Sequence, residues 1–357
     1  MIATPDVLVV GLGPAGSRAA ARAAMAGLSV LAIDRRAAPG TPVQCAEFVP
    51  ALLDQDVPGM AAVSRQRVRR MLTAIEDGPA AETPDFPGRM LDRAAFDALL
   101  VARAAERGAT CRFATAVASV APNGGVRLTD ASDLRPRVLI GADGPRSRVG
   151  AAIGAVNRDL VETRQIRVAL PRTHDATDIF LSAGYPGGYG WLFPSADVAN
   201  LGLGVVASAR AVLRPRLAVL HERLAGQGRV GRDVLGYTGG AIPVGGRLPA
   251  SGWLGAVPVL LAGDAAGLAH PVTGAGIAAA VHSGTLAGAA AAAWLGGEGG
   301  AAAEYEEELA ELYDAAFARA LAHRRRLLDR HAAGEAPDAG MQRAGWIGFP
   351  EYWGRSP

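Results

Sequence analysis

Two segments of this chain each place a buried strand, a glycine-rich turn and a small-residue helix in immediate succession. The first is VLVVGLGPAGSRAAARAA at 7–24, and the second is LLAGDAAGLAHPVTGAGI at 260–277. A glycine-rich turn between a strand and a helix binds a pyrophosphate, because the free N–H groups of the helix N-terminus face it. Two such junctions far apart in one chain predict a single long ligand held at both ends, and FAD is the common dinucleotide of that length.

The first junction has the spacing of a dinucleotide-binding fingerprint. Gly11 allows the tight turn, Gly13 lets the backbone approach the pyrophosphate, and Gly16 lets the helix pack closely on the strand. A second strand ends in Asp34, near the spacing of an acid that binds the adenosine ribose. The cofactor-binding residues predicted here are Gly11, Gly13, Pro14, Ala15, Gly16, Asp34 and Arg35.

Composition excludes several other classes of protein. The chain has 357 residues, of which 50% are hydrophobic and 20% charged, so it can bury a large core. The net charge of +2 argues against a nucleic-acid partner. All 36 basic residues are arginine, so no lysine chemistry is available. The two cysteines, Cys45 and Cys111, predict neither a disulfide framework nor a metal site, and they favour a reduced cytoplasmic setting.

The order of elements predicts an α/β fold whose nucleotide-binding domain is interrupted. We expect a Rossmann-like FAD-binding domain made of residues 1–63, 93–157 and 252–300. Residues 64–92 and 158–251 alternate and carry turn signals, which predicts an inserted, mainly antiparallel β-sheet substrate domain. Residues 301–357 are expected to form C-terminal helices and a tail. The Ala-rich run at 274–297 has the length of a membrane span, but polar residues interrupt it, and we expect a core helix.

Three motifs together resemble the FAD motifs of the p-hydroxybenzoate-hydroxylase-like flavoproteins: GLGPAG at 11–16, IGADGPRSRVG at 140–150 and GDAAGLAHPVTGAGI at 263–277. Within that group, PVQCAEFVP at 42–50 and GYGWLFP at 188–194 are similar to the geranylgeranyl reductase family. The resemblance covers about residues 5–290. It implies an FAD enzyme that saturates isoprenoid C=C bonds.

The resemblance also assigns roles to single residues. Arg93 would reach the phosphate and ribityl region of FAD, although it could equally be a helix residue paired to Asp97. Asp264 would accept a hydrogen bond from a ribityl hydroxyl, and a simple helix cap is the alternative. The remaining positions that match the family's cofactor site are Asp143, Gly263, Gly274, Gly276 and Ile277.

The candidate catalytic residues are Cys45, Tyr189, Trp191 and His270. Cys45 matches the family's cysteine near the cavity and could donate a proton or shape the pocket; a small buried hydrophobe is the alternative. Tyr189, Trp191 and Phe193 alternate, so their rings should lie on one face of a strand and form an apolar wall for an isoprenoid or aromatic substrate. An aromatic core stripe is the alternative. The family usually has Asn where this chain has His270, and Glu where it has Ala275. A histidine beside the flavin is a candidate proton donor or a hydrogen-bond partner of the flavin, and a neutral filler is the alternative.

These motifs predict an FAD-dependent oxidoreductase that reduces C=C bonds by hydride transfer from reduced flavin. The reductant would be NAD(P)H docking transiently or a ferredoxin-type donor. The alternatives are an FAD monooxygenase hydroxylating an aromatic or apolar metabolite, which shares every FAD motif, and a flavin-bound lipid carrier without turnover. The predicted partners are the apolar or isoprenoid substrate and the electron donor, and peripheral membrane contact stays open.

Overall fold

The computed structural model describes residues 4–354, and a six-stranded sheet forms the core of its glycine-turn half. Five of its strands run parallel and the edge strand next to Val257–Leu261 is antiparallel. The strands, in spatial order, are β19 (Ser251–Leu254), β20 (Val257–Leu261), β12 (Val138–Gly141), β1 (Val7–Val10), β2 (Val30–Ile33) and β8 (Thr110–Arg112). Every residue of β1 is buried, as a continuous apolar run at the centre of a parallel sheet requires.

Two helices follow the glycine-rich turns and pack against each other. They are α1 (Pro14–Met25) and α5 (Ile277–Leu295). A Cβ at Gly284 would lie 2.1 Å from the Ala15 carbonyl oxygen, and one at Gly288 would lie 2.4 Å from that of Ala19. Helix α5 is the one helix of the described residues with the length and composition of a membrane span. The small residues of α5 have a packing role, because Gly284 and Gly288 let the helix approach the backbone of α1.

The inserted sheet has eight strands, and its central strands are buried on both faces. All its neighbouring strands are antiparallel except Arg70–Ile75 and Ala176–Leu181, which pair in parallel. The strands are β5 (Arg70–Ile75), β6 (Ala81–Thr83), β13 (Leu160–Ala169), β14 (Ala176–Leu181), β15 (Gly190–Ser195), β16 (Val198–Val206), β17 (Val234–Thr238) and β18 (Ala241–Pro243). Helix α4 (Leu213–Gly226) buries its leucines against Ile166 and Leu201 on one face. The fold class predicted from the sequence, α/β with an inserted mainly antiparallel sheet, is confirmed.

Two small sheets and two helices join these layers. One sheet consists of β3 (Phe48–Pro50), β4 (Ser64–Val68) and β7 (Gly88–Leu91), and the other of β9 (Val117–Val120), β10 (Val126–Leu128) and β11 (Asp133–Leu134). The helices are α2 (Arg93–Glu106) and α3 (Arg148–Ala152). The stretch 64–92, expected as one unit, divides between two sheets, because β4 and β7 pair with β3 whereas β5 and β6 join the large sheet. The domain boundaries themselves stay a prediction.

The C-terminal region returns across the molecule. Helix α6 (Ala301–Ala332) is followed by α7 (Ala339–Ala344) and by a tail in which three aromatic residues are buried, whereas Trp353 is 51% exposed. Trp346, Phe349 and Tyr352 are each less than 5% exposed. The tail is therefore part of the core, and Trp346 and Phe349 belong to the same apolar cluster as Trp191.

Candidate functional site

The first glycine-rich turn is packed on two sides and open on the third. A Cβ at Gly11, where φ is +99°, would lie 2.2 Å from the Ala142 carbonyl oxygen, and one at Gly16 would lie 1.7 Å from that of Gly11. No atom lies within 4 Å of the Cβ position of Gly13. Gly11 and Gly16 therefore serve backbone packing, whereas the space beside Gly13, at the N-terminus of α1, suits a pyrophosphate. Pro14 and Ala15 form the first turn of that helix.

Asp34 lies where β2 ends and ties its own loop to the glycine turn. Its carboxylate accepts hydrogen bonds from the backbone N–H groups of Leu12 and Arg36, both at 2.8 Å. Arg35 beside it is exposed. Asp143 contacts Gly11 through its backbone, while its carboxylate accepts hydrogen bonds at the start of α3. The turn, Asp34 and Asp143 thus converge at the carboxyl ends of β1, β2 and β12.

Asp264 follows β20 directly after Gly263, whose φ is +61°. Burial raises the pKa of Asp264 to about 6, and the positive charge of Arg93 opposes that shift. No residue in 4–354 donates a hydrogen bond to this carboxylate. Asp264 is half-buried, and an acceptor there that lacks a protein donor can take one from a ligand, so the site fits a ribityl hydroxyl of FAD.

Arg93 opens α2 and meets several groups at once. Its guanidinium donates to both carboxylate oxygens of Asp97, at 2.8 and 3.3 Å, and Asp97 is 1% exposed. Burial alone would lower the pKa of Arg93, but Asp97 and the Cys45 sulfur raise it above its ordinary value. Arg93 therefore pairs with Asp97, and its charge also reaches Cys45 and Asp264, while its contact with FAD stays a prediction.

The loop between β20 and α5 is closed by His270. Its Nδ1 accepts hydrogen bonds from the N–H groups of Val272 and Thr273, at 3.3 and 3.2 Å, and its backbone pairs with Gly274 and Ala275. Because Nδ1 is an acceptor, the ring proton belongs on Nε2. Burial lowers the pKa of His270 to about 4, so the ring is neutral at pH 7. His270 thus shapes the loop, and its predicted role as a proton donor would have to use Nε2–H.

The other predicted residues of this loop lie at the start of α5. Gly274 has a φ of +67°, Gly276 is the N-cap and Ile277 is the first helical residue. Their N–H groups form the N-terminal end of a 19-residue helix, where the partial positive charge is concentrated.

An aromatic wall, defined here as Tyr189, Trp191, Phe193 and Trp346, borders this loop. The ring centroids of Tyr189 and Trp191 are 5.8 Å apart, and those of Trp191 and Phe193 are 6.4 Å apart, so the rings share one face as their alternation predicts. Trp346 from the C-terminal tail lies 4.7 Å from Tyr189. The Tyr189 hydroxyl donates a 2.6 Å hydrogen bond to the carbonyl of Thr273. This bond joins the wall to the loop that precedes α5.

Buried polar side chains connect the wall to Cys45. Trp191 Nε1 donates to Gln165 Oε1 at 2.9 Å, and Gln165 Nε2 donates to the Cys45 carbonyl at 3.2 Å. The Cys45 sulfur accepts from the N–H of Glu47 at 3.2 Å. These contacts tie the backbone of Cys45 to Trp191, whereas its sulfur meets the N–H of Glu47 and the guanidinium of Arg93.

Glu47 is a residue that sequence reasoning missed. It is 5% exposed and has a φ of +71°, a left-handed conformation that is rare outside glycine. Its carboxylate accepts from Asn200 Nδ2 at 2.8 Å and from the backbone N–H of Arg93 at 3.3 Å. Gln165, Asn200 and Trp346 were missed as well, because their partners are remote in the chain. A carboxylate two positions from Cys45 was the only local signal.

Two glycine-rich strand–helix junctions that face one site, with an unpartnered carboxylate between them, define an FAD-binding oxidoreductase. Comparison with known proteins agrees. A sequence profile described as lycopene cyclase protein matches residues 6–168. The chain is 35% identical to the digeranylgeranylglycerophospholipid reductase of Methanocella arvoryzae, over 76% of this chain and 73% of that protein. It is 32% identical to the reductase of that name from Thermoplasma acidophilum, over 78% and 75%. The chain belongs to the geranylgeranyl reductase family.

Solved structures support the same assignment. A geranylgeranyl bacteriochlorophyll reductase-like protein from Thermoplasma acidophilum superposes with a TM-score of 0.80, at 27% identity, covering 89% of this chain and 86% of that one. PqsL of Pseudomonas aeruginosa, a probable FAD-dependent monooxygenase, gives 0.68 at 20% identity, covering 93% and 99%. The second likeness shows the fold alone, which reductases and monooxygenases share.

Proposed function

We propose that this protein reduces C=C bonds of an isoprenoid lipid bound against the aromatic wall. The observation that carries the proposal is the hydrogen bond from Tyr189 to the Thr273 carbonyl, because it joins the wall to the loop of the flavin motif. Trp191, Phe193 and Trp346 are less than 8% exposed and pack as an aromatic core, so an unsaturated hydrocarbon chain would contact the wall at the half-buried Tyr189. The relatives named as reductases of digeranylgeranyl glycerophospholipids support this class of substrate.

The chain's own residues would hold the cofactor and shape the reaction. Asp264 would accept a hydrogen bond from the ribityl chain, and the N-terminus of α5 would stabilise negative charge on the ring. When bound, FAD supplies the hydride that is added to one alkene carbon. The other carbon then needs a proton from the protein.

Cys45 is the best candidate for that proton. Its sulfur faces two donors, the N–H of Glu47 and the guanidinium of Arg93, which stabilise the negative charge left when the proton departs. The other candidates are less suited to the task. The Tyr189 hydroxyl already donates to Thr273, and burial raises its pKa. His270 is neutral at pH 7, and two backbone N–H groups occupy its Nδ1.

A comparison of two cysteine variants tests this assignment. Cys45→Ala should leave reduction of the flavin by dithionite unchanged and slow its anaerobic reoxidation by a polyprenyl substrate roughly a hundredfold, the usual contribution of a general acid. Cys111→Ala is the matched control, because Cys111 lies on β8 away from the wall. Mass spectrometry should show two hydrogen atoms added per double bond. Equal rates in both variants would remove Cys45 from the mechanism.

The same anaerobic experiment separates the monooxygenase. Oxygen-dependent hydroxylation of the bound substrate, with no reduction of double bonds under anaerobic conditions, would overturn the proposal. Parallel reactions with NAD(P)H and with a reduced ferredoxin would show which donor supplies the electrons. We further propose a cytoplasmic protein that contacts the membrane surface peripherally, because the relatives' substrates are phospholipids.

A further inference from the structure

A cavity lies apart from the aromatic wall. It has a volume of about 680 Å³ and is lined by α6, by the residues that open β13 and by those that follow β16. Part of its lining is apolar, including Leu160, Leu321 and Leu328. Arg325, which also lines it, is exposed, so the cavity reaches the protein surface.

Arg324 lines this cavity and is buried without a carboxylate partner. It is 8% exposed, and no Asp or Glu oxygen in residues 4–354 lies within 4.0 Å of its guanidinium nitrogens. Burial lowers the pKa of Arg324 to about 10, and Asp159 opposes that shift, so the group is charged at pH 7. A buried charge without a counter-ion is destabilising.

The remaining charged groups of the cavity are mostly basic. Arg158 and Arg325 form no ion pair within the described part of the chain, and Asp159 is the one acidic residue in the lining. Burial lowers the pKa of His331, which keeps that ring neutral. Three guanidinium groups therefore face one carboxylate, which leaves an excess of positive charge in a partly apolar cavity.

We infer that this cavity binds a phosphate or diphosphate group, with Arg324 inside the cavity and Arg158 and Arg325 nearer its opening. Guanidinium groups bind phosphate oxygens through paired, charge-assisted hydrogen bonds. The group could be a free anion or the head group of a lipid. The lipid-borne source rests on the proposed function, whereas binding of the free anion does not.

The position of Arg324 links this anion to the reaction site. Its Nη1 donates to the carbonyl of Gly187, which precedes the aromatic wall, and to that of Pro271 at 3.5 Å, in the loop closed by His270. An anion that fixes the guanidinium therefore also fixes the separation of the wall and the loop. Arg324 is thus a positioning residue in this arrangement.

Calorimetric titration of the FAD-loaded, oxidised protein with inorganic phosphate and with pyrophosphate tests the site without any turnover. Arg158→Gln and Arg325→Gln should each weaken binding about tenfold, the effect of losing one charge-assisted contact. Arg326→Gln is the matched control, because Arg326 is exposed on the same helix and does not line the cavity. Since Arg324→Gln could fail to fold, Arg324→Lys is added and should weaken diphosphate binding while keeping the charge.

Geranylgeranyl diphosphate and geranylgeraniol, titrated in the same way, distinguish the two sources. If only geranylgeranyl diphosphate binds and the arginine substitutions weaken that binding, the cavity takes a lipid head group. If the substitutions weaken pyrophosphate binding equally, the cavity takes a free anion. Both outcomes support the site. No binding of any phosphate compound, or binding that the Arg158 and Arg325 variants leave unchanged, would overturn it. Loss of alkene reduction with phosphate binding intact would refute only the proposed function.

Discussion

Replacing Tyr189 by Phe removes one oxygen atom and tests whether the hydroxyl is structural or catalytic. The hydroxyl donates to the Thr273 carbonyl at 2.6 Å, and the ring is held between Trp191 and Trp346, with centroids at 5.8 and 4.7 Å. The ring should therefore keep its place in Tyr189→Phe. Only the hydrogen bond and the order it gives to the loop before α5 would be lost.

The magnitude follows from the burial of this bond. Because the bond is part-buried, losing its donor should lower the free energy of unfolding by about 1 kcal/mol, the low end of the cost for a buried carbonyl. Because His270 still holds the loop, kcat should fall by less than about tenfold, which corresponds to roughly 1.4 kcal/mol. A general acid would instead contribute about 10²–10⁴-fold.

Urea unfolding of the FAD-loaded protein and steady-state kinetics measure the two effects separately. Tyr185→Phe is the matched control, since Tyr185 is also buried but its hydroxyl donates no hydrogen bond within residues 4–354. A thousandfold loss of kcat in Tyr189→Phe with unchanged stability would refute this reasoning and make the hydroxyl catalytic.

Three other substitutions have outcomes that the structure specifies. Gly13→Ala should leave the stability of the FAD-free protein unchanged and weaken FAD binding at least tenfold. Gly16→Ala should destabilise the FAD-free protein, because a Cβ at Gly16 meets backbone atoms and one at Gly13 does not. Thermal unfolding and FAD titration measure these effects. The FAD-free protein should lose about 3 kcal/mol of stability as the pH rises from about 4 through about 6, because the folded state holds the Asp264 proton more tightly than the unfolded state. Asp264→Asn should abolish this loss. Urea unfolding across that pH range would contradict the prediction if stability changed with pH in the same way in the wild type and the variant. Asn200→Leu should lower the free energy of unfolding by about 3 kcal/mol, because the buried Glu47 carboxylate loses its side-chain donor; a change under about 0.5 kcal/mol would contradict it.

Much of the cofactor site could be predicted because its requirements are local. Gly11 and Gly16 are needed wherever a strand turns tightly into a helix, and the contacts that a Cβ would meet there come from the turn itself and from the neighbouring strand. The alternation of Tyr189, Trp191 and Phe193 likewise places three rings on one face whatever surrounds the strand.

The roles of His270 and Arg93 show where such reasoning ends. A histidine in a flavin motif is a candidate for proton transfer. In the fold its ring packs against Phe317, with centroids 6.0 Å apart, and its Nδ1 accepts a hydrogen bond from the N–H of Thr273 in the loop. Two interpretations of Arg93 were open in the sequence, and the structure shows the pair with Asp97, one helical turn away, while Cys45 and Asp264 arrive from other segments; contact with FAD stays a prediction.

The sequence by itself therefore determined the fold class, the cofactor and the face of the aromatic wall, since each depends on backbone conformation and periodicity over a few residues. Only the tertiary structure decided what surrounds Cys45. Glu47 meets Asn200 across 153 positions of sequence, and Trp346 reaches Tyr189 from the C-terminal tail. Such pairs are stabilised by burial and hydrogen bonding that exist only once the chain has folded back on itself, so no local pattern specifies them.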